Sequence, residues 1–171
     1  MFPIAMVVFS VFVAWKWGDW RNWQKYLPTI QYFIGCDMMY NLFTKNYSLW
    51  EYPHPPNILP NHLIINLFIM FVLYPSVMLV YLYHYPERKS VIKRILYMLM
   101  WIGIWSVCEL GMITFKNCVY HHGWTYAWSI GFLCVMNPML RLHHNRPLLA
   151  YILSVPIIMF LLIWFHVPVF K

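Results

Sequence analysis

Charge is what this chain has least of. Asp, Glu, Lys and Arg make up 10% of its 171 residues, against 62% hydrophobic ones, whereas a soluble domain carries about 25% charged residues. So few charges cannot cover a water-facing surface. Lipid is therefore the expected solvent for much of the molecule, and a single integral-membrane domain over residues 1–171 is the expected organisation. Acid is scarcer still: five carboxylates stand against twelve Lys and Arg, for a net charge of +7. That excess does not point to nucleic acid, because the cations sit in gaps between apolar runs rather than along one face or in a tail.

Other absences narrow the function. Cys36, Cys108, Cys118 and Cys134 form no CxxC pair, which argues against a disulfide framework. No HExxH, GxSxG, Walker loop or dinucleotide fingerprint is present, and no serine has a spaced base partner. The sequence therefore leans away from an enzyme, asks for no cofactor and commits to no metal. The opening MFPIAMVVFSVFVAWKW lacks a basic n-region and an Ala-x-Ala-like cleavage site, so it is expected to be a retained first span.

What is there is a series of apolar runs. They predict an all-α, polytopic transmembrane helical bundle of about six spans, near residues 2–15, 27–43, 63–83, 95–115, 124–140 and 148–167. Most approach the roughly 20 residues that a hydrocarbon core asks for. Helix is the expected secondary structure throughout, since lipid tolerates no open strand edge. The links test the count. Lys16, Arg21, Lys25, Arg88, Lys89, Lys93, Arg94, Arg141 and Arg146 fall in the first, third and fifth links, while only Lys45, Lys116 and Lys171 fall on the other side. Basic links belong in the cytoplasm, which predicts a bacterial cytoplasmic-membrane protein with both termini extracytoplasmic.

Tryptophan and tyrosine crowd the run ends, at Trp15, Trp17, Trp20 and Trp23, at Tyr81, Tyr83 and Tyr85, and at Trp124, Tyr126 and Trp128. Headgroup-level anchoring accounts for them, and the first link, KWGDWRNWQKY, fits a short interfacial helix. Pro28, Pro60, Pro86 and Pro147 are placed at run boundaries. Pro75, Pro138 and Pro156 lie deeper, where they are expected to kink their helices.

The informative residues are the polar ones inside the runs. An aspartate in a membrane helix costs about 2.5–3.5 kcal/mol on insertion scales, so neither Asp37 nor Glu109 should face acyl chains. Asn41 shares a helix face with Asp37, and Asn66 shares one with His62, each four residues on. If their three helices are neighbours, Asp37, Asn41, His62, Asn66 and Glu109 meet in one polar cluster, with Glu51 and His54 in the external link above it. Structural glue, a proton or cation site, and a catalytic or metal-binding site all remain open. On the inner side LYHYPERK and LRLHHNRP end two runs alike, and Arg141, His143, His144 and Arg146 lie where they would face lipid phosphate.

NYSLWEY, LPNHLIINLFIMFVLYP and YLYHYP, with the later GMITF, HHGWTYAWS and LRLHHNRPLLAYILS, resemble a group of small, uncharacterised multi-pass membrane proteins of endospore-forming Firmicutes. The resemblance runs from Trp20 to Ser154. It implies a several-span cytoplasmic-membrane protein whose motif positions are Trp50, Glu51, Asn61, His62 and Glu109, and it implies no substrate, reaction or catalytic residue. The leading expectation is a scaffold or accessory subunit of the bacterial envelope, in phospholipid and with a protein partner or a second copy. A small proton- or cation-coupled carrier using Asp37 and Glu109 is the first alternative, and a membrane-embedded lipid-modifying enzyme is the second.

Overall fold

A computed structural model describes residues 2–53 and 62–169. Among these residues the fold is all-α apart from one two-stranded ribbon. Helix α1 spans Phe2–Trp17, and a short 3-10 turn at Trp20–Asn22 leads into α2, Trp23–Phe43. The next rod is one continuous helix in three parts: α3 (His62–Phe68), a π segment (Ile69–Leu73) and α4 (Tyr74–Tyr81). Helices α5 (Val91–Thr114), α6 (Tyr126–Asn145) and α7 (Pro147–Trp164) complete six helical rods among the described residues. Three rods are long and apolar enough to cross a membrane, at Ile64–Tyr81, Val91–Thr114 and Pro147–Trp164, and α1 is apolar but shorter. Helices α2 and α6 have the length without the apolarity.

Local chemistry explains most boundaries. Pro147 begins α7, where a missing amide costs little. Helices α5 and α7 both end in a Schellman turn. In α5 the Asn117 and Lys116 amides donate to Met112 and Ile113, and in α7 the Val167 and His166 amides donate to Leu162 and Ile163. The residue that takes positive φ is Lys116 in one turn (55°) and His166 in the other (53°). Pro75 follows directly on the π segment. The Tyr74 amide donates back to Ile69, five residues earlier, and this widened turn accommodates a proline with no N–H to give.

Sequence expectations differ from the structure at four points. Pro28 lies inside α2 rather than at its start; it sacrifices only the bond to the Gln24 carbonyl, in an exposed part of the helix. Helix α5 begins at Val91, so Lys93 and Arg94 ride its first turn instead of the preceding link. Helix α6 runs past Leu140 to Asn145 because Arg141 and His143 find partners inside the bundle. Lastly, β1 (Trp50–Glu51) and β2 (Val119–Tyr120) pair antiparallel, with Trp50 opposite Tyr120 and Glu51 opposite Val119. The two links that carry them are thus tied together at one end of the molecule.

The helices pack as a ring. α1 packs on α4, α4 on α2, α2 on α6, α6 on α5, and α5 on α1, while α7 lies outside against α6. At the end opposite the ribbon, Ala14 is fully buried. Its carbonyl takes both the Gly18 amide (2.7 Å) and the Trp20 indole N–H (2.6 Å). A Cβ at Gly18 would lie 2.4 Å from that oxygen, so only glycine lets the chain leave α1 this tightly.

Candidate functional site

Polar side chains meet where α2 passes the π-helical rod. Asn41 donates to both the carbonyl (2.8 Å) and Oδ1 (3.2 Å) of Asp37, one turn earlier on the same face. Its own Oδ1 accepts from Asn66 Nδ2 at 2.9 Å, and Tyr74 donates to Asp37 Oδ2 at 2.9 Å. Both carboxylate oxygens therefore have donors, supplied by α2 and by the rod. The Tyr74 ring lies flat on Phe33, with centroids 3.8 Å apart. Its direction is set by the π segment just before it and the proline just after it.

Glu109 belongs to a second network. Tyr120, on β2, donates to Glu109 Oε1 at 2.5 Å. The Tyr120 hydroxyl is also 3.3 Å from Ser129 Oγ, which accepts the Trp124 indole N–H at 2.9 Å. The ring of helices sets Glu109 across an interior space from Asp37 rather than beside it, since α5 packs on α6 and α1. The sequence expectation of one cluster resolves into two. Asp37, Asn41 and Asn66 come together, and Glu109 stands apart on a chain of hydroxyls from the ribbon.

Two cavities occupy that space. The larger, about 460 Å³, is walled by α1, the π-helical rod, α5 and α6, and is roofed by Trp50, Tyr52 and Trp124. Among the described residues Glu109 is the only charged side chain on its wall. The smaller, about 200 Å³, lies between α2, α6 and α7, with Asp37, Tyr32, Cys36 and Ser154 on its surface. Trp50, Tyr74, Trp124 and Phe132 line both and form the partition. Tyr52 sits near the junction. Burial raises its phenol pKa, with further increments from Cys118 and from both Asp37 and Glu109. Burial likewise pushes the Cys118 thiol up to about 12, helped by the Glu109 charge.

The ribbon end is a packed aromatic cap. The Tyr40 hydroxyl, at the end of α2, accepts the amides of Leu49 (3.1 Å) and Trp50 (3.2 Å). The Tyr40 ring stacks on Trp50 at 3.8 Å, nearly parallel. Trp50 is 5.0 Å from Trp124, and Trp124 is 5.0 Å from Phe165 beyond α7. Glu51 pairs with His121 at 3.1 Å on a partly exposed surface, and Tyr47 stacks on His122 at 3.6 Å. His54 lies outside the described residues, as does the side chain of His62, whose backbone opens α3. Among the described residues no group of three His, Cys, Asp or Glu side chains is arranged to hold a metal ion.

At the opposite end, three of the four phosphate-facing candidates turn inward. Arg141 is 7% exposed, pairs with Glu87, and lies over the Tyr85 ring at 4.4 Å. His143 is 3% exposed, with Nδ1 3.2 Å from Thr29 Oγ1 and its ring stacked on Tyr32 at 4.2 Å. His144 stacks on Tyr26 at 5.6 Å. Arg146 alone is exposed. Sequence reasoning missed Tyr52, Tyr74 and Tyr120, and the partition to which Tyr74 belongs, because a tyrosine's place in the chain does not mark a distant carboxylate as its partner. The one available signal was Pro75 directly after Tyr74.

The chain matches no protein-family model, no curated protein and no solved structure. What the fold itself defines, among the described residues, is an all-α protein with three helices long and apolar enough to cross a membrane and two largely apolar cavities, one with Glu109 and one with Asp37 on its wall.

Proposed function

We propose that this is a multi-pass protein of the bacterial cytoplasmic membrane, crossing six times with its basic links inside and both termini outside. We further propose that it is a small proton- or cation-coupled carrier. The observation that carries this reading is the placing of Asp37 and Glu109 on two adjoining cavities that share an aromatic partition. Glue alone needs hydrogen bonds and no enclosed space, whereas a carrier needs a charge that a solute or proton can reach. Short α1 and the less apolar α2 and α6 are rods of this bundle because each packs into the ring, where lipid covers only part of it.

The test is purified protein in liposomes with a trapped pH dye, challenged with steps of sodium, potassium and tetraethylammonium. Wild-type vesicles should show a cation-dependent internal pH change. Asp37→Asn and Glu109→Gln should abolish it at equal protein incorporation. Wild-type vesicles with no response to any of the three would overturn the carrier reading.

A scaffold is the second reading, favoured by one observation: α7 packs on α6 from outside the ring and leaves most of its apolar surface uncovered. A protein partner or a second copy seated there would support it, and cross-linking from Val155 or Met159 in intact membranes would find either.

A further inference from the structure

The walls of the larger cavity say what would fill it. At about 460 Å³ it falls in the range of small-molecule sites, roughly 300–1,000 Å³. Its lining is almost wholly apolar, yet it holds one carboxylate, Glu109, set among the rings of Trp50, Trp105, Trp124, Tyr52 and Tyr74. Tryptophan faces attract cations through the ring quadrupole, most strongly where water is excluded, and tyrosine does so less strongly. Among the described residues no cationic side chain lines the space. A neutral apolar guest would leave the carboxylate without a counter-charge, and an anion would be repelled by it.

We infer that the cavity beside Glu109 binds an organic cation with an apolar body, of the quaternary ammonium or phosphonium class. The cage is built in advance. Trp50 is held flat on Tyr40, Trp124 is held through its indole N–H on Ser129, and the Glu109 carboxylate is held by Tyr120. Side chains already fixed lose little freedom when a ligand arrives, and that saving appears as affinity. α1 supplies the apolar side of the box, with Ile4, Met6 and Val7 opposite the rings. Charge selection thus falls to Glu109 and the indoles, and shape selection to the aliphatic wall.

This inference rests on the carrier reading for its purpose but not for its test, which measures binding alone. Tetraphenylphosphonium is titrated into the full-length protein in detergent or nanodiscs, read by quenching of tryptophan fluorescence and by calorimetry, with tetraphenylborate as the anion of matched shape. Saturable binding of the cation, with the anion at least about tenfold weaker, is the expected result. Glu109→Gln should weaken cation binding about tenfold and narrow the preference over the anion. Trp105→Leu, which leaves the carboxylate and its hydrogen bond in place, should weaken it several-fold. Equal uptake of both ions, or cation affinity unchanged in either folded variant, would overturn the inference. The comparison of the two ions needs no variant, so a misfolded Glu109→Gln protein leaves the question answerable. Phosphonium binding without cation-dependent pH change in liposomes would sink the carrier and spare the site; the reverse would sink the site and spare the carrier.

Discussion

Removing one oxygen tests the geometry most directly. Tyr74→Phe keeps the ring that stacks on Phe33 and deletes only the hydroxyl that donates to Asp37 Oδ2 at 2.9 Å. Hydrogen bonds to charged groups are worth about 1.5–3 kcal/mol in soluble proteins. Interhelical ones in membranes average about 0.6 and reach about 1.7 kcal/mol, because chains unfolded in lipid also find partners. In the variant Asn41 still donates to Oδ1 while Oδ2 loses its Tyr74 donor, so the upper part of the membrane range applies. A coupling of about 1–1.5 kcal/mol between Tyr74→Phe and Asp37→Leu is expected. It would come from a double-mutant cycle of reversible unfolding in mixed detergent micelles. Loss of the Asn41–Asp37 bond enters both legs that carry Asp37→Leu and cancels. Coupling within the usual additivity error of about 0.3–0.5 kcal/mol would refute the bond, and with it the view that the π segment aims Tyr74 at the acid.

Two further outcomes follow from the basic end. Gly18→Ala should destabilise by about 1–3 kcal/mol, since the new carbon collides with backbone rather than a flexible side chain; thermal unfolding checks it, and an unchanged midpoint would mean that the α1 exit is not this tight. His144 should oppose folding in acid. Burial, reinforced by the charges of Arg141, Lys25 and His143, lowers its pKa from 6.5 to about 4. The unfolded chain therefore binds this proton more readily. The histidine's contribution is complete above about pH 6.5 and is lost as pH falls toward 4. His144→Gln should flatten that acid limb in melts taken from pH 7 to pH 4. A limb of unchanged slope would assign it to other groups, of which His143, also lowered by burial, is the nearest.

The rods were legible because apolar runs interrupted by cations mark helix ends regardless of packing. Their order around the ring was not, since every helix of such a bundle is apolar on several sides and nothing in hydropathy selects its neighbours. That gap accounts for the fate of Glu109. Because α5 closes the ring against α1 and α6, the acid lines a different cavity from Asp37, beyond the aromatic partition. Asp37, Asn41 and Asn66 were readable because spacing of four on one helix puts two of them on one face, and an amide at similar depth on the next rod completes the set. The ribbon was invisible, two residues per strand being too few to show alternation. Arg141 was misplaced for a different reason. Its partners, Glu87 and Tyr85, lie in a link more than fifty positions away, so the sequence offers only a cation at a helix end, which ordinarily snorkels to headgroups.

The chemistry of Asp37 bears on what the polar interior is for. Its two oxygens accept from Asn41 and Tyr74, a role that an asparagine carbonyl could share without bringing a titratable charge into the bundle. On insertion scales the acid costs about 2.5–3.5 kcal/mol at the centre of a membrane helix, whereas hydrogen bonding there returns about 0.6 kcal/mol per bond. As glue alone, the carboxyl is the poorer choice. What it has and the amide lacks is a proton it can release, or a charge it can present, to the cavity on its other side. The same comparison holds for Glu109, where glutamine would accept from Tyr120 equally well but offer nothing to a cation. Two such choices, on two cavities divided by one tyrosine and three other aromatic rings, are the ground on which the carrier proposal stands against the scaffold.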